Sequence, residues 1–351
     1  MPIRVKPSPA TMGTVPSIKF RLAASIGVTS QSSQVESRVS RPRGPQTRRM
    51  KVFYSDTFVL PLPPNHRFSM EKFSLLRQRV VDEELVHPND MSAPEPASEA
   101  QLALAHDPDY VVRVFRGNLT PKELRRIGFP WSVQMVERSR RSVAATIGAC
   151  RAAISEGTGI NLSGGTHHAH RDFGAGFCVF NDVAVAARVI QTEGLARSVI
   201  VLDCDVHQGD GTASIFANDP SVFTFSIHSA SNYPFHKASS DLDIALPDGT
   251  GDNEYMEALQ YGARRALSLS MAEFAVYVAG ADPFGDDRLG RFALTKEGLA
   301  LRDLFVLRLC REARLPVAVV MGGGYSHRVH DTVDIHFRTV ELAIQIAASS
   351  S

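Results

Sequence analysis

The sequence predicts a single α/β domain over residues 50–348, built as a three-layer α/β/α arrangement with a central, mostly parallel sheet. Three observations carry this prediction. Apolar β-rich runs alternate with helical stretches, and the runs are continuous, as strands buried on both faces require. Neither an internal repeat nor a second zone of composition follows Met50. The polar residues capable of chemistry gather at the carboxyl ends of the expected strands, where open parallel sheets place their ligand sites.

The elements follow in order. "KVFYSD" at 51–56 reads as the first strand, and the apolar spacing of 68–83 predicts an amphipathic helix. The Pro/Ala/Ser stretch "MSAPEPASEA" at 91–100 reads as a loop leading into a short helix. Residues 132–156 carry apolar groups at helical spacing and predict a long helix; "GINLSGG" at 159–165 is a short strand ending in glycine. Residues 180–193 look helical. "SVIVLD" (198–203), "VFTFSI" (222–227), "FAVYVAG" (274–280) and "PVAVVMGGG" (316–324) are strand runs, with helices at 252–271, 295–313 and 331–348.

The first 49 residues differ from the rest, with nine Lys/Arg, eight Ser and a single acid, Glu36. They read as a disordered tail, or an upstream extension before a start at Met50, or an organelle transit peptide, since such peptides are Arg- and Ser-rich and acid-poor. The cytoplasm is the expected location, with mitochondrion or plastid the alternative if the extension is a transit peptide. The four cysteines are far apart and form no CxxC, which fits a reducing compartment. Lys+Arg is 38 and Asp+Glu is 37, so the overall charge gives no reason to expect direct nucleic-acid binding. No run of 18 apolar residues occurs, so no membrane span is expected.

At the strand ends, Asp205 and His207 are two apart, so an extended backbone points both the same way. A carboxylate and an imidazole are suitable zinc ligands, and Asp282 from another strand end supplies a third. Three protein ligands with an open position is the pattern of a catalytic metal. The adjacent His167 and His168 can serve as base and acid near neutral pH. Asp203 and Asp210 are the carboxylates available to orient them. In "GGGYS", Gly323 and Gly324 let the backbone approach a substrate, and Tyr325 can hydrogen-bond a carbonyl oxygen that gains charge. Assembled, these groups suit hydrolysis of an amide.

Four stretches, "LSGGTHHAHRDFGAGFCVFND", "VIVLDCDVHQGDGTASIF", "VYVAGADPFGDDRLGRFALTKEGL" and "VMGGGYS", resemble the zinc-dependent histone deacetylase family, which has the arginase-like α/β fold. "LPPNHRFSMEKF" and "GDDRLGRFALTKEGLALRD" look closest to its class IV members and their bacterial relatives. The resemblance implies one zinc per chain on Asp205, His207 and Asp282. It makes His168 the main base, with Asp210 behind it, and His167 its assistant or acid, with Asp203 behind it. Tyr325 would polarise the acyl carbonyl. Gly176 and Phe177 would wall the tunnel for a lysine stem, and Arg67 would line an inner channel and attract acetate. A structural potassium ion would lie on Asp203 and Ser226 with carbonyls of Asp205, His207 and Ile227. The implied substrate is an acylated lysine of a protein; an acetylated polyamine or other small acylated amine, or a longer acyl-lysine, is the alternative.

The sequence departs from the pattern at three places. The stretch "RRIGFPWSV" (125–133) lacks the acid that many members use to grip a peptide backbone. The second tunnel aromatic is Tyr233 or Phe235. Gln208 stands where many relatives have a further histidine. Two other functions weigh less: an arginase-type enzyme needs a fuller set of Asp and His ligands, and a non-catalytic scaffold would be expected to have lost a ligand, the His pair or the tyrosine.

Overall fold

The computed structural model describes residues 3–5, 50–63 and 66–349. Their elements run β1 (Ile3–Val5), β2 (Lys51–Phe53), α1 (Glu71–Asp82), β3 (Met91–Ser92), α2 (Glu99–Leu102), α3 (Pro108–Arg116), α4 (Pro121–Ile127), α5 (Val133–Glu156), β4 (Thr158–Asn161) and α6 (Asp182–Thr192). They continue β5 (Val199–Asp203), α7 (Asp210–Ile215), β6 (Val222–Ser229), β7 (Leu242–Leu246), α8 (Asp252–Ser270), β8 (Phe274–Gly280), α9 (Lys296–Glu312), β9 (Val317–Gly322) and α10 (Val329–Ala348). Apart from the strand Ile3–Val5, the N-terminal extension (1–49) lies outside the described residues.

Helix boundaries follow local chemistry. Ser132 caps α5 by accepting from the Met135 amide, and the helix stops at Gly157, whose φ is 90°. Thr120 and Glu123 form a reciprocal capping box on α4, with Pro121 in its first turn. Strands β5, β8 and β9 are buried along their whole length, so the continuous apolar runs are those of a sheet covered on both sides.

The sheet order is β1-β7-β6-β5-β8-β9-β4-β2-β3. All neighbours are parallel except the edge pair β1–β7. Alternate residues of each strand serve two cores. Ile200, Leu202, Tyr277 and Ala279 pack with α1, α8, α9 and α10 on one face. Val199, Val201, Val276 and Val278 pack with α3, α5 and α6 on the other. The result is the three-layer, mostly parallel sheet expected. No helix among the described residues is long and apolar enough to cross a membrane.

The topology selects one place for a site. From β5 the chain builds outward through β6 and β7, then returns to lay β8 on the other side of β5. The order reverses between β5 and β8, and a crevice opens at the carboxyl ends of strands at such a point. Asp205 and His207 follow β5, and Asp282 follows β8. Arg302 of α9, fully buried, pins the two strand ends together by donating from Nη1 to the carbonyls of Cys204 (3.2 Å) and Gly280 (2.5 Å).

Five elements between 50 and 349 escaped the sequence reading: β3, α3, α4, α7 and β7. Strand β7 carries Asp243 at its second position, which interrupts an apolar run. Helix α7 has six residues, too few to show a period.

Gly159 of β4 lies flush against α5, where an added Cβ would sit 2.2 Å from the Ala149 carbonyl oxygen. Gly159→Ala is expected to lower stability by about 3 kcal/mol, read as a lower urea midpoint with unchanged slope.

Candidate active site

The turn after β5 is held by its own acids. Asp203 accepts from the Asp205 amide (3.1 Å), and Asp205 accepts from the His207 amide (3.0 Å). Asp282 reaches across the switch point to accept from the Val206 amide (3.0 Å). These bonds aim Asp205, His207 and Asp282 at one point. Their ligating atoms lie within 4.8 Å of one another, and all three residues are buried. His207 Nδ1 is 3.0 Å from Asp205 Oδ1 and 3.1 Å from Asp282 Oδ2. Asp205 Oδ2 is buried with no hydrogen-bond partner.

Two carboxylates so close together, out of water, demand positive charge. Burial disfavours the His207 imidazolium, but the hydrogen bonds and charges of Asp205 and Asp282 outweigh it and raise His207 to about 10. Burial likewise opposes ionisation of Asp205, yet His167 and His207 hold it below the usual carboxylate range. A borderline-soft divalent cation with two oxygens and one imidazole nitrogen as donors meets the same need.

The histidine pair sits alongside. His167 Nδ1 meets Asp203 Oδ2 at 2.7 Å, and His168 Nδ1 meets Asp210 Oδ1 at 2.6 Å. The two Nε2 atoms are 3.2 Å apart. Their environments separate their proton affinities. Burial disfavours the His167 cation, but the charges of Asp203 and Asp205 raise it to about 9. Burial and the neighbouring charge of His167 lower His168 to about 3, despite Asp210. One imidazole is therefore charged and the other neutral, the division that acid and base roles require.

Tyr325 follows β9. Asp287 accepts from its amide (2.5 Å), and Arg288 Nε donates to its carbonyl (2.8 Å). Burial pushes its phenol well above 10, so the hydroxyl remains a donor. Gly323 (φ 31°) is pressed against Asp282, whose Oδ2 would be 2.1 Å from an added Cβ. Gly324 has φ 88°. Lys72 holds this loop from behind, donating to the carbonyls of Gly323 (2.5 Å) and Gly324 (3.0 Å), with its ammonium 4.8 Å from the Tyr325 ring centroid.

The walls resolve an open question. Tyr233 packs edge-on against His168, with centroids 5.0 Å apart, whereas Phe235 is 77% exposed. Of the two rings, Tyr233 is the one that packs against the histidine pair. Gly176 has φ 54°, and an added Cβ there would lie 2.6 Å from the His168 ring. Phe177 follows with φ 65° and lies 5.8 Å, centroid to centroid, from Tyr325.

Arg67 is not where the resemblance put it. Its side chain is exposed, and the bond it makes is through its carbonyl, to Arg288. Two buried cations, Lys72 and Arg138, line a cavity of about 40 Å³ with Phe68, Ser142 and Tyr325. The Nε and Nη2 of Arg138 and the Oγ of Ser142 are buried there without partners. Asp203 and Ser226 are opposite each other in the β5–β6 register, and Ile227 is buried next to Ser226. Gln208 is outside the cluster, bonded to the Ala238 carbonyl and to Asp243.

Three contributors were missed in the sequence. Lys72 is one. His170, whose Nε2 is 3.2 Å from Asp210 Oδ2, is a second and was legible as the last residue of "HHAH". The third is Asp182, which accepts from Thr146 Oγ1 (2.5 Å), the Gly165 amide (3.1 Å), and the Thr166 amide (2.7 Å) and hydroxyl (2.6 Å). It fixes the turn that presents His167 and His168.

The sheet, its helices and the site at the switch point are those of the arginase- and deacetylase-like α/β proteins. Within that class the chain belongs to the histone deacetylase family, whose domain model matches residues 66–340. An uncharacterized protein of Picosynechococcus sp. is 45% identical over 285 residues, 81% of this chain and 95% of that protein. Histone deacetylase 2 of Arabidopsis thaliana is 26% identical over 290 residues, 79% of this chain and 75% of that protein. A crystal structure of a histone deacetylase homolog complexed with SAHA matches with a TM-score of 0.72 at 25% identity over 84% of each chain.

Asp182→Ala would strand the donors of Thr146, Gly165 and Thr166. A loss of at least about 3 kcal/mol is expected in urea unfolding; a change below about 0.5 kcal/mol, the range of ordinary surface substitutions, would show that the turn holds without it.

Proposed function

We propose that this chain is a zinc-dependent hydrolase that removes an acyl group, acetyl in the first instance, from the side-chain amide of lysine in proteins. The observation that carries the reading is the buried Asp205–His207–Asp282 cluster, with its unpartnered Asp205 oxygen, next to two imidazoles, one charged and one neutral. Asp205, His207 and Asp282 would hold one zinc ion, which when bound polarises an acyl carbonyl and acidifies a water.

The chain's own groups do the rest. Asp210 holds the proton of His168 on Nδ1, which leaves Nε2, beside His167 Nε2, with the lone pair that takes a proton from the attacking water. His167, kept charged by Asp203, gives a proton to the leaving amine. The Tyr325 hydroxyl donates to the acyl oxygen as it gains charge. Phe177 and Tyr233 flank the aliphatic stem of the lysine and keep water from it. Asp203, Ser226 and the carbonyls of Asp205, His207 and Ile227 would hold a structural potassium ion, a reading supported by the register that sets Asp203 opposite Ser226. The catalytic domain is assigned to residues 50–348.

Asp205→Ala and His207→Ala are expected to lose both zinc, measured by elemental analysis, and release of acetate from acetyl-lysine peptides. Tyr325→Phe is expected to keep its zinc and to lose about 10²–10³ of turnover. Full activity in Tyr325→Phe would remove the tyrosine from the chemistry.

A further inference from the structure

The mouth of the site carries a charge that the whole chain does not. Lys+Arg and Asp+Glu are 38 and 37 overall, yet the exposed charged residues on the loops and the end of α4 that form the walls are mostly arginines. Arg125 and Arg126 lie on the segment whose carbonyls, those of Arg126 and Ile127, receive the amides of Gly176 (3.1 Å) and Phe177 (2.7 Å). Arg171 is on the loop that leads to Gly176. Arg288 donates through Nε to the Tyr325 carbonyl and through an Nη to the Arg67 carbonyl (3.1 Å), so it joins the catalytic tyrosine to a further arginine. The exposed acids of the same loops are Asp172 and Asp286.

These cations are not neutralised, and Arg126 and Arg288 are also held in place. Among the described residues, no carboxylate forms an ion pair with Arg67, Arg125, Arg126, Arg171 or Arg288. The Arg126 guanidinium lies over the Phe173 ring, 4.4 Å from its centroid. That of Arg288 is fixed between two carbonyls. A guanidinium anchored on a ring or on neutral oxygens keeps its full charge and loses little freedom when an anion arrives. The stretch 125–133, where many family members carry a backbone-gripping acid, begins here with Arg125 and Arg126 and has no acid.

We infer that the rim selects acyl-lysine flanked by acidic residues. This rests on the deacylase reading of the site and names its substrate class. The acylated side chain is neutral and enters between Phe177 and Tyr233. Aspartate or glutamate within a few residues of it meets Arg126 on one side of the mouth and Arg288 with Arg67 on the other. Polyamines and lysine-rich tails carry the wrong sign and are repelled, since like charges suppress a wrong partner as effectively as opposite charges attract the right one.

The test uses three fluorescent acetyl-lysine peptides of equal length, with acidic, neutral and basic flanks, and acetylspermidine. Binding is followed by anisotropy on the zinc-loaded Tyr325→Phe chain, and kcat/KM on the wild type. The acidic peptide is expected to bind and react about tenfold better than the basic one at low salt, with the ratio collapsing at 0.5 M salt. Arg126→Glu is expected to cut the acidic-to-basic ratio about fivefold, whatever its absolute activity. Turnover with equal or reversed preference, or a ratio that Arg126→Glu leaves unmoved, would overturn the rim's role while leaving the deacylase intact. Acid-selective binding without turnover of any peptide would do the opposite.

Discussion

The site is organised by the repulsion between two buried carboxylates. Asp205 and Asp282 lie on either side of one imidazole nitrogen, 3.0 and 3.1 Å away. The ligating oxygens of the two acids lie within 4.8 Å of each other, and like unit charges about 4 Å apart cost about 4 kcal/mol even at the effective dielectric of a protein surface. Positive charge at that point is therefore a condition of folding the site at all. The same field extends outward. Asp203, with Asp205, keeps His167 charged, and burial together with the charge on His167 keeps His168 neutral. The charge states of the two histidines thus depend on the acids around them and on each other, and are not independent features of either ring.

The fold holds these charges by placing cations and glycines behind them. Arg302 stitches the ends of β5 and β8, so the strands that deliver Asp205 and Asp282 cannot drift apart. Lys72 does the same for the Gly323–Gly324 loop that carries Tyr325. Glycine is needed where the loop passes Asp282 and where Gly176 passes His168, since a Cβ at either place would collide. The rim continues the theme with a different consequence, because its arginines face solvent and remain available to a partner.

Much of this was legible in the sequence, and the limits have physical causes. The runs at 274–280 and 132–156 match β8 and α5 nearly residue for residue, because a fully buried strand and a long amphipathic helix write themselves in local composition. Asp205, His207 and Asp282, the His pair with their acids, and Tyr325 came from strand-end position and spacing, and the structure brings them together at one switch point. What local sequence could not supply was distant pairing and exposure. Lys72 meets its partners 251 and 252 residues away. Arg67 sits one residue before Phe68, which does line the inner cavity, but backbone direction turns the arginine outward and leaves Lys72 and Arg138 inside. Tyr233 and Phe235 flank one proline, and only the path of that turn decides which ring faces His168. Strand β7 was hidden by Asp243, an acid whose partner Gln208 lies on another loop.

The central claim is that Asp205, His207 and Asp282 form a metal centre. Anomalous diffraction at the zinc absorption edge, on crystals of zinc-replete protein, tests it most directly. One peak per chain is expected, about 2.0–2.2 Å from His207 Nδ1 and from an oxygen of each carboxylate. Zinc bound elsewhere, or no peak there while His207 stays hydrogen-bonded to both aspartates, would contradict it.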